Sequence, residues 1–323
     1  MRTKTNLRCG NKLPQILFGT ALCATIMLTG GCSNDNETAL PDGGDRVALQ
    51  VTSGIQSRAI GSDWQAGDAI GIYMLKTGTS TITEAATNRR YTTADGNSSF
   101  SATADQTIYF PVDGSQVDFY AYYPHLTQFD ENGEAVFDVS DQTKQPSFDL
   151  MTAKLNSTAV APLDKNNPAV AFKFNHRMTK IELNIAAGTG LIPSDLAGLT
   201  VEITNQRTEG LFNPVFDATG VNLTAAKTVT MLTAADGLTS SAILLPCYTE
   251  ASYDNQVIPG RELLFTLTSG EVFRWPIPDT KSFNEGDRNI YNITMNRTGI
   301  TVTATIEDWN PGNGLNGEGG SAE

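Results

Sequence analysis

The residue with the clearest chemical potential is a cysteine near the N-terminus. Cys32 follows four basic residues (Arg2, Lys4, Arg8 and Lys12), an apolar run over 13–28 and the small residues Gly30 and Gly31; Ser33-Asn34-Asp35-Asn36-Glu37 comes after it. A basic start, a short apolar stretch and small residues before a break form a secretory signal rather than a membrane span. The run is shorter than the ~20 residues needed to cross hydrocarbon, and Pro14 interrupts its start. A cysteine directly after such a cut resembles a bacterial lipobox, whose thiol is acylated and becomes the new N-terminus, although Leu28 stands four residues ahead of Cys32 where lipoboxes prefer three. Residues 1–31 are therefore expected to be a lipoprotein signal peptide, with Cys32 lipidated and the acyl chains tethering the protein to a membrane. Ordinary signal cleavage, leaving Cys32 as a spare thiol, is the alternative.

Other residues capable of chemistry are few. Cys9 and Cys23 leave with the signal, so a lipidated Cys32 leaves Cys247 with no partner for a disulfide. In Ile243-Leu244-Leu245-Pro246-Cys247-Tyr248 it reads as a small buried hydrophobe, with no basic or His neighbour in sequence to activate it. The two histidines, His125 and His176, have no second His or Cys at ligand spacing, so no zinc site is expected. Asp130, Asn132, Glu134, Asp138 and Asp141 match five positions of a calcium loop, but Ala135 replaces the required glycine and the stretch alternates like a strand. Serine elbows, phosphate-binding loops and HExxH are missing. Tyr120 and Tyr122 share a face that could stack on a sugar or pack across strands. No enzyme activity, metal or cofactor is expected.

Composition narrows the partners. The signal carries four basic and no acidic residues, so without it 22 Lys+Arg fall to 18 against 35 Asp+Glu, a net charge of −17. Nucleic acid is excluded as a partner, because its binding needs Lys and Arg to displace phosphate counterions. A chain of this length exceeds one comfortable core, so two domains are expected.

The elements that must position these residues are strands. Residues 32–45 are polar and Gly-rich, a flexible tether. From there the period is two: Val47, Leu49, Val51 and Ile55 share one face and Ala48, Gln50, Thr52 and Gly54 the other, a half-buried strand. Further strands are predicted over 69–73 and 91–100, and Asp113-Gly114-Ser115 is expected to close a hairpin between 108–112 and 117–124. In the second half Val170, Phe172, Phe174 and Met178 are one residue out of phase with Ile181, Leu183 and Ile185, so a break is expected near 177–180. Strands follow over 199–204, 228–232, 242–245, 263–267, 272–277, 290–295 and 300–306, with Ser269-Gly270 turning one hairpin. The only helical candidates are short, such as 193–196. Many short strands with Gly, Pro, Asn and Asp turns predict an all-β protein of sandwiches: an N-terminal sandwich over 46–160, a C-terminal sandwich over 161–309 and a Gly-rich tail over 310–323.

Several fragments together resemble the fimbrillin family, the Mfa-like lipoproteins that form type V pili in anaerobic gut and oral bacteria. They are Trp64-x-x-Gly67-Asp68-x-Ile70-Gly71-Ile72-Tyr73, Tyr109-Phe110-Pro111 and Val117-Asp118-Phe119-Tyr120-Ala121-Tyr122-Tyr123-Pro124. Asp149-Leu150-Met151-x-Ala153, Phe172-Lys173-Phe174-Asn175-His176-Arg177-Met178, Glu285-Gly286-Asp287, Ile290-Tyr291-Asn292-Ile293-Thr294 and Ile306-Glu307-Asp308-Trp309 complete the set, in order behind a lipobox. The resemblance implies two tandem transthyretin-like β-sandwiches. It also implies a surface subunit whose first strand is removed by a maturation protease, so that other fimbrial subunits can join by donor-strand insertion. Asp35 and Glu37 resemble the acidic signal that sends such lipoproteins to the cell surface.

The first strand suits that mechanism. Burying each of its four apolar side chains contributes ~1.5–3 kcal/mol, so removing it would cost at most ~6–12 kcal/mol and open a row of unpaired backbone groups. Arg58, just past it, is expected to mark a cut between Arg58 and Ala59; the alternative is a solvated surface arginine and a strand that stays. A cut at Arg46 would free the tether without opening a groove. The tail over 310–323 carries one apolar side chain, Leu315, and is a poor donor strand. That points to a tip or accessory subunit contributing to adhesion to a host or bacterial surface ligand, anchored in the outer membrane and found in the fimbrium after processing. A monomeric glycan-binding surface lipoprotein is the competing expectation.

Overall fold

Strands built on alternating apolar residues recur from one end of the described chain to the other. The computed structural model describes residues 46–55, 63–215, 218–221, 225–250 and 255–308. In chain order the strands are β1 (Gln50–Ile55), β2 (Ala69–Lys76), β3 (Arg89–Thr92), β4 (Ser99–Phe100), β5 (Val117–Tyr123), β6 (Ala135–Asp138), β7 (Met151–Leu155), β8 (Ala169–His176) and β9 (Thr179–Ala187). They continue with β10 (Thr200–Gln206), β11 (Glu209–Asn213), β12 (Ala218–Val221), β13 (Lys227–Thr230), β14 (Leu232–Thr233), β15 (Thr239–Leu244), β16 (Glu262–Thr266), β17 (Val272–Pro276), β18 (Asp287–Asn296) and β19 (Gly299–Asp308). Two short 3-10 turns, Gln142–Ser147 and Pro193–Leu196, interrupt them. The protein is all-β.

Seven strands form one sheet in the order β3-β2-β5-β7-β8-β1-β4. The sheet curls until its two edges meet: Thr92 N donates to Ser101 O at 2.8 Å and Ser101 N to Thr92 O at 3.0 Å. Its interior holds Leu49, Val51, Ile70, Ile72, Met74, Phe119, Phe172 and Phe174. Behind it, a four-stranded sheet (β13-β10-β16-β17) and a five-stranded sheet (β14-β15-β9-β18-β19) enclose a second core, with Ile181, Val201, Phe265 and Ile293 at its centre.

A third cluster joins the two. β5 is buried along its entire length because Phe119 and Ala121 face the first core while Tyr120 and Tyr122 face Phe212, Ile243 and Leu245. A small fourth sheet, β12-β11-β6, carries the chain across, since β6 precedes and β11 follows the whole of β8 to β10. β8 lies beyond the 160/161 division drawn from the sequence, yet it pairs with β1 and β7 and fills the first core. The phase change between Phe174 and Ile181 falls between β8 and β9, where the chain passes from the first sheet to the five-stranded one.

One hairpin is corrected. Asp113-Gly114 does turn, with Gly114 at φ 77°, but residues 108–110 do not pair with β5. They run antiparallel to the start of the first strand: Leu49 N donates to Ile108 O at 2.9 Å and Phe110 N to Val47 O at 3.0 Å. β2 and β7 already occupy both edges of β5, and Pro111 has no N–H to extend a ladder.

Candidate functional site

Residues 47–55 lie between two partners in the first sheet. β1 pairs parallel with β8, from Gln50↔Ala169 to Ile55↔Phe174, and antiparallel with β4 through Val51↔Phe100 and Thr52↔Ser99. Gln50 N donates to Pro168 O at 2.9 Å and Ser53 N to Ser98 O at 2.7 Å. A strand so placed closes the wall of the first core, and its loss would leave β8 and β4 with facing, unpaired edges.

Among the residues singled out from the sequence, Leu49 and Val51 are buried, and Val47 and Ile55 are half-buried and packed on the same core. Two full and two partial burials correspond to roughly 5–9 kcal/mol. Cys32, Arg58 and Ala59 lie outside the described residues; Arg58 and Ala59 fall in the connection between Ile55 and Asp63. Arg46, at the other end of the strand, stacks its guanidinium 4.1 Å from the centre of the Tyr109 ring.

Two residues of this site escaped the sequence reading. Ser53 has the same phase as Leu49 and Val51 and is buried with them, its hydroxyl without a hydrogen-bond partner among the described residues. Its period-two position was the available signal. Trp64, the first residue of the family-like motif, turns back onto β1: its indole N–H donates to Ser53 O at 3.4 Å. The Trp64 ring stands edge-on to Phe100, Tyr123 and Phe174, with centroids 5.0, 5.3 and 5.5 Å away. Tyr123 donates its hydroxyl to Asp68 Oδ1 at 3.1 Å. Burial, then the Asp68 carboxylate, push the Tyr123 phenol well up.

The remaining candidates are dispersed. His176 is buried and its Nδ1 lies 2.8 Å from Asp149 Oδ1. His125 sits 3.4 Å from Asn88 O, and burial lowers its pKa. Asp130 folds back on its own turn, accepting from the backbone N–H of Asn132 and Glu134 at 2.9 and 2.8 Å, and β6 follows directly. Among the described residues no group of three His, Cys, Asp or Glu could hold a metal ion. Tyr120 and Tyr122 are fully buried, so neither ring offers a face to a sugar. Cys247 does have a basic neighbour in space: Arg261 Nη1 lies 3.1 Å from its Sγ. Burial still pushes the thiol up, against the opposing pull of Arg261.

The fold defined by the described residues is an all-β body whose first core is closed by a strand paired on both sides. Comparison with known proteins gives the class a family. The fimbrillin-like family model matches residues 57–309, and the chain belongs to that family. A Bacteroides uniformis protein named as a candidate fimbrium subunit, Fim1C, is 42% identical over 315 residues, 94% of this chain and 97% of that one. The crystal structure of a candidate cell adhesion protein from Bacteroides uniformis is 39% identical, has a TM-score of 0.70, and aligns with 84% of this chain and all of that one. A second, from Bacteroides ovatus, shares the fold at 24% identity and a TM-score of 0.64 over 82% of this chain and 98% of that one. No helix among the described residues is long and apolar enough to cross a membrane.

Proposed function

We propose that this chain is a structural subunit of a surface fimbrium, made as a lipoprotein anchored through Cys32 in the outer membrane. A protease cuts between Arg58 and Ala59, the strand bearing Val47, Leu49, Val51 and Ile55 departs, and a strand from another fimbrial subunit takes its place. The observation that carries this reading is the position of β1: it pairs on both sides, closes a core, and is the first described strand of the chain. The family match covers residues 57–309, the body of the chain that follows this strand. A vacated groove restores its lost burial and hydrogen bonds by taking up another strand.

The place in the fimbrium follows from which segment can be donated. The tail over 310–323 lacks alternation. β19 is an edge strand pairing only with β18 among the described residues. Its Ile300, Val302 and Ala304 are half-buried on the second core and Ile306 is 52% exposed. With β19 in place, the chain accepts a strand and donates none, as a tip or accessory subunit would.

Treatment of the purified chain with an Arg-specific protease, followed by unheated gels and mass spectrometry, tests this. Expected are loss of the segment ending at Arg58 and capture of an added strand peptide by an otherwise monomeric product. A heat-labile ladder of self-oligomers would instead assign β19 as donor and a stalk position. A cut chain that keeps residues 47–58 and captures nothing overturns the reading. Palmitate labelling lost in Cys32→Ala tests the anchor.

A further inference from the structure

Beyond Val47, the first strand presents a row of four inward side chains to the core: Leu49, Val51, Ser53 and Ile55. Three are large and apolar. Ser53 is neither, yet it is 2% exposed and its hydroxyl has no hydrogen-bond partner among the described residues. The receiving wall explains the small size. In the parallel register with β8, Val51 stands beside Val170, Ser53 beside Phe172 and Ile55 beside Phe174. Phe172 and Phe174 are fully buried, and Trp64 packs edge-on against Phe174 while its N–H reaches the Ser53 carbonyl. At this level aromatic rings of the receiving body fill the interior, leaving the strand a small share of the volume.

We propose that the place held by Ser53 is the selective site of this groove: it admits only a strand whose third inward residue is small, and so fixes the register of any strand that enters. The inference rests on the strand-replacement reading above and names the partner, an extended segment with inward residues large–large–small–large. The contacts made by the main chain here, Ser53 N to Ser98 O and Trp64 N–H to Ser53 O, can come from any strand and carry no selectivity. Selectivity comes from the side-chain position. Sliding an incoming strand by two residues would bring a large residue against Phe172, and overpacking of this kind is strongly disfavoured. Serine is also not the best occupant. Its buried hydroxyl loses its water without gaining a partner, so an alanine in the same place fits better. The resident strand is thus held less tightly than a well-matched newcomer.

Two measurements test this. In the first, the full chain is cut with the Arg-specific protease in the presence of fluorescent peptides of residues 47–57, carrying Ser53, Ser53→Ala or Ser53→Leu. The alanine peptide is expected to be captured at least as tightly as the serine one, and the leucine peptide about tenfold or more weaker. Equal capture of the leucine peptide overturns the proposal. In the second, the uncut chain carries the same substitutions: Ser53→Ala is expected to raise the denaturation midpoint and Ser53→Leu to lower it. If no peptide is captured, serine included, the strand-replacement reading fails. The uncut variants then decide the small site by themselves: a Ser53→Leu chain as stable as the original rejects it, and a loss confined to leucine upholds it.

Discussion

The Tyr122 ring lies on Gly71. The two are cross-strand partners between β2 and β5, and a Cβ added at Gly71 would fall 2.3 Å from Tyr122 Cε1 and 2.6 Å from Asn88 Oδ1. The phenol is held by its own network, since Tyr122 OH donates to Asn88 Oδ1 at 2.6 Å and accepts from Leu126 N at 3.1 Å. Neither ring nor amide can move aside cheaply. Gly71→Ala is expected to destabilise the protein by ~1–3 kcal/mol through overpacking. Pairing it with Tyr122→Leu, which frees the space, should cost less than the sum of the two single changes in urea unfolding. Strict additivity would mean that the ring is not the obstacle.

Trp64 reports on the first strand. It is buried, and β1 supplies the acceptor for its indole N–H. Loss of the strand exposes the ring, so cleavage after Arg58 is expected to red-shift tryptophan emission, and capture of a strand peptide to reverse the shift. The same shift in a Trp64→Phe chain would trace the signal to Trp275 or Trp309 instead.

Glu182 makes part of the stability of the second core depend on pH. Its carboxylate meets Arg288 Nη2 at 2.6 Å and Lys180 Nζ at 2.7 Å. Burial alone would raise its pKa, but the hydrogen bonds from Arg288 and Lys180 outweigh burial and hold it below its ordinary 4.5. A carboxyl with a folded pKa below its unfolded one contributes stability above the unfolded value and loses it as pH falls through the folded one. Urea midpoints of the native chain should therefore drop as pH falls below about 4.5, the unfolded value. Glu182→Gln should be less stable at neutral pH and show a shallower drop on acidification.

Arg261 is a buried guanidinium without a carboxylate partner among the described residues. It is 1% exposed, donates to the carbonyls of Pro278 and Lys281 and to Cys247 Sγ, and lies over the Phe283 ring at 4.9 Å. A buried charge gains little when it is held only by neutral groups. Arg261→Met, which keeps the volume and removes the charge, is expected to lie within ~1–2 kcal/mol of the native chain, whereas Arg261→Ala should lose ~3 kcal/mol or more by leaving a cavity. Chemical denaturation of both variants checks the order.

Much of the architecture was legible in the sequence because period-two alternation reports directly which side chains must leave water. The phase of Leu49 and Val51, the break between Phe174 and Ile181 and the Ser269-Gly270 turn are all local signals. Partner choice is not local. Residues 108–110 read as one arm of a hairpin with β5, and in the fold they lie against residues 47–49, because β2 and β7 fill both sides of β5. Cys247 likewise lacked a basic neighbour in its own segment, and the fold brings one from fourteen residues away.

By itself, the sequence determined an all-β protein of acidic charge with a first strand that must bury one face. These follow from composition and from alternation along the chain, and need no knowledge of what meets what. Only the tertiary structure decided that this first strand lies between β8 and β4, that β8 belongs to the same sheet, and that Ser53 faces Phe172 in a space already filled by aromatic rings. Such facts depend on which edges meet after collapse, where backbone groups bond equally well to any strand and side-chain volume selects the neighbour.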